Sequence, residues 1–474
     1  MFAILTVNFV FWHENNSKTM FLNLINQKLL KLSLLFTSMP YDIKIGRNLA
    51  DKKAFGDEGF VFLGKSYVKM GNYSSLSNNI FMDVARNHVV LVAGKRGSGK
   101  SYTLGVIAEE LSGLKKEISQ NIASLIFDTM GIFWTMKFTN EKDKELLYDW
   151  KLSTKNLPTR IFVPFGHYDN YIEKGIPVDE KFALNPMELD AEDWIITFGL
   201  SIINPVAVLI ERAINNLKKE ESFTIKDVIR EIESDDKSSN EIKNAAVSLF
   251  QAAETWGIFS EKTKNATKIG DLISGGTTSI LDLSVYNSIG AFNVRALVIG
   301  LLSKKIFNQR MNARKKEEVK AVSSSFSMTG FEEKKETPLV WIFIDEAHEF
   351  LPLNGKTAAT DALIQLLREG RQPGISLVLA TQQPGQIHRD VMTQSDIVIS
   401  HRVTSQPDLE ALNYIMQSYL LESIKKYMDD LPDLKGSAII LDDNSERIYP
   451  MRIRPRFTWH GGEAPTAIRV EKKL

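Results

Sequence analysis

The octet Gly94-Lys95-Arg96-Gly97-Ser98-Gly99-Lys100-Ser101 constrains this chain more than any other feature. It follows the apolar run 88–93 (HVVLVA) and leads into the helical run SYTLGVIAEELSGL. A strand, a glycine-rich turn and a helix in that order curl backbone N–H groups around a phosphate and aim the positive helix end at it. Lys100 has the reach for the β- and γ-phosphates of a nucleotide, and Ser101 carries a hydroxyl suited to Mg2+. The candidate nucleotide-binding residues are therefore Gly94, Arg96, Gly97, Ser98, Gly99, Lys100, Ser101 and Tyr102.

Such a loop needs neighbouring strands. Apolar runs recur at 124–127, 160–164, 278–283, 339–344, 375–380, 396–400 and 437–441, several of them continuous rather than alternating. Strands buried on both faces read that way, and helical patterns lie between them, so the spacing predicts an α/β fold around a parallel-rich central sheet. Between 187 and 275 the periodicity turns wholly helical, which predicts an all-α insert. Short β-like pieces (YDIKI, GFVFLG, SYVKMG, IFMDVA) predict a small, short barrel-like β module over 39–87. The expected order is an extension (1–38), the β module (39–87), a core in two parts (88–186 and 276–450) split by the insert (187–275), and a C-terminal tail or brace (451–474). The charged and Ser-rich stretch 310–338 reads as a mobile loop.

Residues 1–38 are apolar but broken by His13-Glu14-Asn15-Asn16 and by Asn23, Asn26, Gln27, Lys28 and Lys31. No run reaches the ~18–20 apolar residues a membrane span needs, so stable membrane insertion is not expected. The absence of cysteine excludes disulfides and thiolate metal sites and suits a reducing, cytoplasmic setting. Lys+Arg and Asp+Glu both number 58, so any surface for a polyanion must be local. Basic residues gather at Lys304, Lys305, Arg310, Arg314, Lys315, Lys316 and Lys320, and again at Arg452, Arg454 and Arg456.

The partner of the phosphate loop is Leu339-Val340-Trp341-Ile342-Phe343-Ile344-Asp345-Glu346, an apolar strand ending in two acids. Asp345 is placed to bind Mg2+ and Glu346 to polarise an attacking water, which favours hydrolysis over nucleotide storage. No guanine-reading NKxD segment is visible, so ATP is the expected nucleotide. Strand 375–380 runs into Thr381-Gln382-Gln383-Pro384, where Gln382 is placed to sense the γ-phosphate. Arg368 and Arg371, in REGRQPG, stand at an element boundary from which an arginine can project to a neighbouring subunit's γ-phosphate. Arg402 is a weaker candidate of the same kind. His348-Glu349 lacks the second histidine of a zinc protease, and no metal beyond Mg2+ is expected.

In their joint order, the P-loop, the α-helical insert, IFIDEAHEFLP, REGRQPGISLVLATQQP, ISHRVTSQPD and RIRPRFTWHGG resemble the HerA branch of the HerA/FtsK ATPases. The likeness runs from about Leu76 to Gly462. It implies a RecA-like P-loop ATPase that forms a homo-hexameric ring, moves duplex DNA through its pore and works with a nuclease of the NurA type or another effector, in DNA-end processing or antiviral defence. It makes Lys100 and Ser101 Walker A, Asp345 and Glu346 Walker B, Gln382 the sensor, and Arg368 or Arg371 the finger acting in trans. The same motor core also serves conjugation and secretion ATPases, and a ring of this kind can switch on a partner effector without processive movement. Two departures stand out: the 39–87 module is shorter than the usual β-barrel, and the family's Asp-x-x-Gly-Glu-aromatic reads Asp128-Thr129-Met130-Gly131-Ile132-Phe133, without the second acid.

Overall fold

The computed structural model describes residues 41–70, 73–260, 265–287, 292–325, 335–416 and 424–462. The extension 1–38 lies outside them, as does the tail beyond 462. Among the described residues no helix is long and apolar enough to cross a membrane.

The strands are β1 (Ile43–Ile45), β2 (Phe60–Met70), β3 (Tyr73–Asp83), β4 (Val89–Ala93), β5 (Ile122–Asp128), β6 (Thr159–Pro164), β7 (Glu180–Phe182), β8 (Thr278–Asp282), β9 (Leu339–Ile344), β10 (Ile375–Thr381), β11 (Ile397–His401), β12 (Ser437–Asp442) and β13 (Arg447–Ile453). They form one sheet in the order β1-β3-β2-β13-β12-β11-β4-β10-β9-β5-β8-β6-β7. From β11 to β7 every neighbouring pair is parallel. The centre of this run is apolar on both faces: every residue of β5, β8 and β10 is buried. A parallel sheet needs that burial because its crossover helices cover both sides. One covering helix is α2 (Lys100–Ser112), directly after the phosphate loop.

The 39–87 region departs from expectation. Its four pieces are one short strand and a long hairpin, and it also holds a helix, α1 (Leu49–Phe55), capped by Asn48. It forms no separate barrel. β13, from the far end of the chain, pairs antiparallel with β2 (Met451↔Ser66), so these strands prolong the central sheet.

The insert is helical as expected, with α3 (Ala191–Thr197), α4 (Pro205–Leu217), α5 (Ile225–Glu233) and α6 (Asn240–Thr255). Capping boxes at Asp190/Asp193 and Thr224/Asp227 start α3 and α5 by satisfying backbone donors that the first turn leaves unpaired. Its core is aromatic: buried Trp194 lies with ring centroids 4.9 Å from Phe250 and 5.1 Å from Phe259.

The stretch 310–338 is not all loop, because α7 spans Phe292–Ser325. Its charges pair along and across the helix. Arg314 meets Glu318 at 3.1 Å, and Arg310, fully buried, donates to the carbonyls of Thr337 (2.7 Å) and Pro373 (2.8 Å). Residues 326–334 lie outside the described part. The basic cluster is accordingly drawn into internal pairs, Lys304 with Asp193 (2.9 Å), Lys305 with Glu188 (2.6 Å) and Lys320 with Glu336 (2.8 Å), while Lys315 and Lys316 are exposed.

The second basic cluster is corrected more sharply. Arg454 and Arg456 are completely buried and grip Glu109 of α2, so neither is available to a phosphate backbone. Glu109 Oε2 accepts from Arg454 (2.9 Å) and from the Phe457 N–H (3.0 Å), and Oε1 accepts from Arg456 (3.1 Å) and from the N–H and hydroxyl of Thr458 (3.0 and 2.6 Å). Burial pushes the Glu109 carboxyl up, but the two guanidinium groups outweigh it and hold the group below its ordinary value. Gly105 makes room for this clamp, since a Cβ there would stand 2.6 Å from the Arg456 guanidinium. Removing one partner of a buried ion cluster leaves uncompensated charge. We expect Glu109→Gln to destabilise the fold by about 3–5 kcal/mol, read as a lower midpoint of urea unfolding.

Candidate active site

Parallel strands end at one edge, and there the chain collects its polar residues: Gly94 after β4, Asp345 after β9, Gln382 after β10, and His401 at the end of β11. The phosphate loop turns only because of its glycines. Gly94 sits at φ +154° and Gly99 at φ +116°, and a Cβ on Gly94 would fall 2.5 Å from Ser98 Oγ and 2.7 Å from His401 Cβ.

His401 forms the floor of the loop. Its Nδ1 lies 3.0 Å from the Ser437 carbonyl and its Nε2 lies 2.8 Å from Thr103 Oγ1 in α2. A carbonyl only accepts, so Nδ1 carries the proton, and burial pulls the imidazole down to about 4, which keeps it neutral. No motif marks His401 in the sequence; the signal that could find it is a polar side chain ending a wholly buried strand. Arg402, beside it, binds Asp433 (3.0 Å) and the Leu431 carbonyl (2.7 Å) with its side chain, while its own carbonyl accepts from Lys95 N–H (3.1 Å). It therefore braces the loop in its own chain.

Lys100 is buried with its Nζ 3.4 Å from the Lys95 carbonyl. Burial lowers its pKa, partly countered by the charges of Glu346 and Asp345. Ser101 Oγ donates to Asp345 Oδ2, which joins the two Walker motifs. Burial holds the Asp345 carboxyl above its ordinary value, with the Ser101 bond opposing. A hydroxyl and a carboxylate oxygen side by side are the hard donors Mg2+ takes while keeping its remaining positions for water and phosphate. Among the described residues no group of three or more His, Cys, Asp or Glu is arranged for another metal.

Glu346 adopts φ +51°, ψ +45°, a left-handed conformation that costs a non-glycine residue about 1–2 kcal/mol. Its Oε1 accepts from Gln382 Nε2, so the second acid of the β9 pair and the glutamine after β10 meet directly. Its Oε2 is buried without a hydrogen-bond partner and lies 3.6 Å from His348 Nδ1. That nitrogen is also 3.1 Å from Thr381 Oγ1, the residue before Gln382.

The other candidates lie elsewhere. Arg368 pairs with Asp390 at 2.6 Å, and Arg371 is exposed, with its carbonyl bonded to the Asn87 side chain (2.6 Å). Asn87 precedes β4, so Arg371 lies at the opposite edge from the phosphate loop, a strand length of about 15 Å away. Arg96 is exposed on the loop. Tyr102 is committed to the C-terminal tail: its hydroxyl accepts from Arg456 N–H (2.6 Å) and its ring meets His460 edge-on at 5.2 Å. Asp128 caps a turn, accepting from the N–H groups of Gly131 (2.7 Å) and Phe133 (2.7 Å), and burial beside Asp282 raises it to about 8.

Comparison with known proteins agrees with this geometry. The family described as "Helicase HerA, central domain" matches residues 70–306, half of the chain, and the family "Zonular occludens toxin (Zot)" matches residues 291–407. The probable DNA double-strand break repair helicase HerA of Methanocaldococcus jannaschii is 24% identical over 388 residues, 78% of this chain and 72% of that protein. The corresponding protein of Pyrococcus furiosus is 28% identical over 185 residues, 36% of this chain and 31% of its own length. Among solved structures, VirB4 of Thermoanaerobacter pseudethanolicus superposes with a TM-score of 0.52 at 12% identity, covering 85% of this chain and 98% of that one. At that identity the likeness shows the fold alone.

Binding and turnover separate the roles at this site. We expect Lys100→Ala to lose ATP binding, and Glu346→Gln to bind ATP near normally while kcat falls at least 100-fold, measured by nucleotide titration beside steady-state hydrolysis.

Proposed function

Since the chain belongs to the HerA central-domain family and is a P-loop ATPase, we propose that it works as a homo-hexameric ring that couples ATP hydrolysis to movement along duplex DNA beside a partner nuclease. The observation that carries this reading is the split of the catalytic set. Lys100, Ser101, Asp345, Glu346 and Gln382 stand together at one sheet edge, whereas Arg368 and Arg371 stand at the other. Arginines in that position serve the γ-phosphate of a neighbour, not their own, which a ring of identical subunits supplies.

Within one site Lys100 holds the β- and γ-phosphates, and Ser101 and Asp345 are the residues that hold Mg2+. Bound there, the ion neutralises charge on the phosphates. Glu346 orients and activates water, the arginine of the next subunit steadies the charge that develops on the γ-phosphate, and Gln382 passes phosphate loss into β10. The likeness to DNA-repair helicases of the HerA name supports DNA as the track.

A second reading is a nucleotide-driven ring that activates an effector without moving along DNA. The internal pairing of Lys304, Lys305 and Arg310 and the burial of Arg454 and Arg456 favour it, because they remove basic groups from any DNA path. Steady-state ATPase with and without duplex DNA at two salt concentrations, alongside mass in solution, separates the two. We expect a six-subunit mass and an activity that rises with DNA, with less stimulation at higher salt as phosphate contacts are screened. A ring indifferent to DNA at both salts would favour the effector reading.

A further inference from the structure

His348 has no second histidine to make a metal site, yet it stands among the contacts of Glu346. Glu346 Oε1 is held by Gln382, which leaves Oε2 as a buried carboxylate oxygen with no hydrogen-bond donor. His348 Nδ1 stands 3.6 Å from it. The same Nδ1 stands 3.1 Å from Thr381 Oγ1, which in turn accepts from Gln383 N–H at 3.0 Å. Thr381 ends β10 and Gln382 follows it, so two adjacent residues face the two oxygens of Glu346, Gln382 by a direct bond to Oε1 and Thr381 through the His348 ring beside Oε2.

We propose that His348 is a positioning residue for hydrolysis: its Nδ1–H bridges Thr381 Oγ1 and Glu346 Oε2 and fixes the carboxylate in the rotamer that presents it to water. This rests on Glu346 as the activating acid. The proton belongs on Nδ1 because an unprotonated Nδ1 would set its lone pair against the carboxylate lone pairs of Oε2. Burial lowers the imidazole below its ordinary value, so the ring is neutral near pH 7 and contributes one directed donor, not a competing positive charge. The turn bearing it is anchored independently. The next residue, Glu349, pairs at 3.1 Å with Arg295 on α7, and Arg295 also donates to Asn287 at 2.9 Å. The imidazole is thus held from behind while its Nδ1 faces the site.

A histidine kept only for packing makes a different prediction from one that supplies a donor. Asn and Leu have nearly the same shape, and Asn places an N–H close to the position of Nδ1, whereas Leu places a methyl there. The test compares full-length His348→Asn, His348→Leu and Glu346→Gln for kcat and KM of ATP hydrolysis and for binding of a fluorescent ATP analogue. We expect His348→Leu to lose on the order of 10- to 100-fold in kcat with KM and binding within about twofold, and His348→Asn to recover most of the lost kcat. Equal losses in Asn and Leu would overturn the donor role, and so would wild-type kcat in Leu while Glu346→Gln is inactive. Full turnover in Glu346→Gln would instead remove the activating acid itself, and the inference with it.

Discussion

The register of three strands decides where the chemistry happens. β10 lies between β4 and β9, with Thr381 opposite Ala93 and Leu379 opposite Ile344. Strands in a sheet lie about 4.8 Å apart, so the chain leaving each of them emerges along one short line. The phosphate loop, the acid pair and Gln382 are neighbours for that reason alone, though more than two hundred residues separate the first from the second. The Ser101–Asp345 bond closes the remaining gap across β10, and the Gln382–Glu346 bond closes the other. A slip of one residue in this register would turn these side chains to the wrong face and separate them.

The end of the chain secures the helix that carries the loop. Glu109 lies near the C-terminal end of α2, the end away from the phosphate loop, and is saturated by residues 454–458. A buried ion cluster is a poor source of net stability compared with an apolar core, but it tolerates few alternative placements of its partners. It therefore holds α2, the hairpin joined through β13, and the tail segment at Tyr102 in one arrangement. The segment 454–460 is thus fastened to α2 by charge and hydrogen bonds.

Much of this was legible in the residues. The eight apolar runs from 88 to 441 are strands within a residue or two, because burial on both faces leaves a continuous signal. The helical insert was equally plain from its period. What stays hidden shares a cause: a charge pattern in sequence does not show its partners. The charges of RMNARKKEEVKAV pattern as a solvated loop in sequence, whereas they pair along α7 and with buried Arg310. Arg454 and Arg456 looked like a phosphate surface because Glu109 is 345 and 347 residues away in sequence. The antiparallel pairing of β13 with β2 is hidden for the same reason. At the site, spacing marks the motif residues but not His401 or His348, whose ring contacts spacing does not encode.

The central claim is that each site is completed by the next subunit. Mixing Lys100→Ala with Arg371→Ala, and separately with Arg368→Ala, tests it most directly. Lys100→Ala alone should be inactive, and of the two arginine variants the one that removes the finger should lose roughly 1,000-fold alone. In mixed rings an intact Walker A from one subunit meets an intact arginine from the other, so activity should return for whichever arginine acts in trans. No recovery with either arginine variant would contradict a shared site.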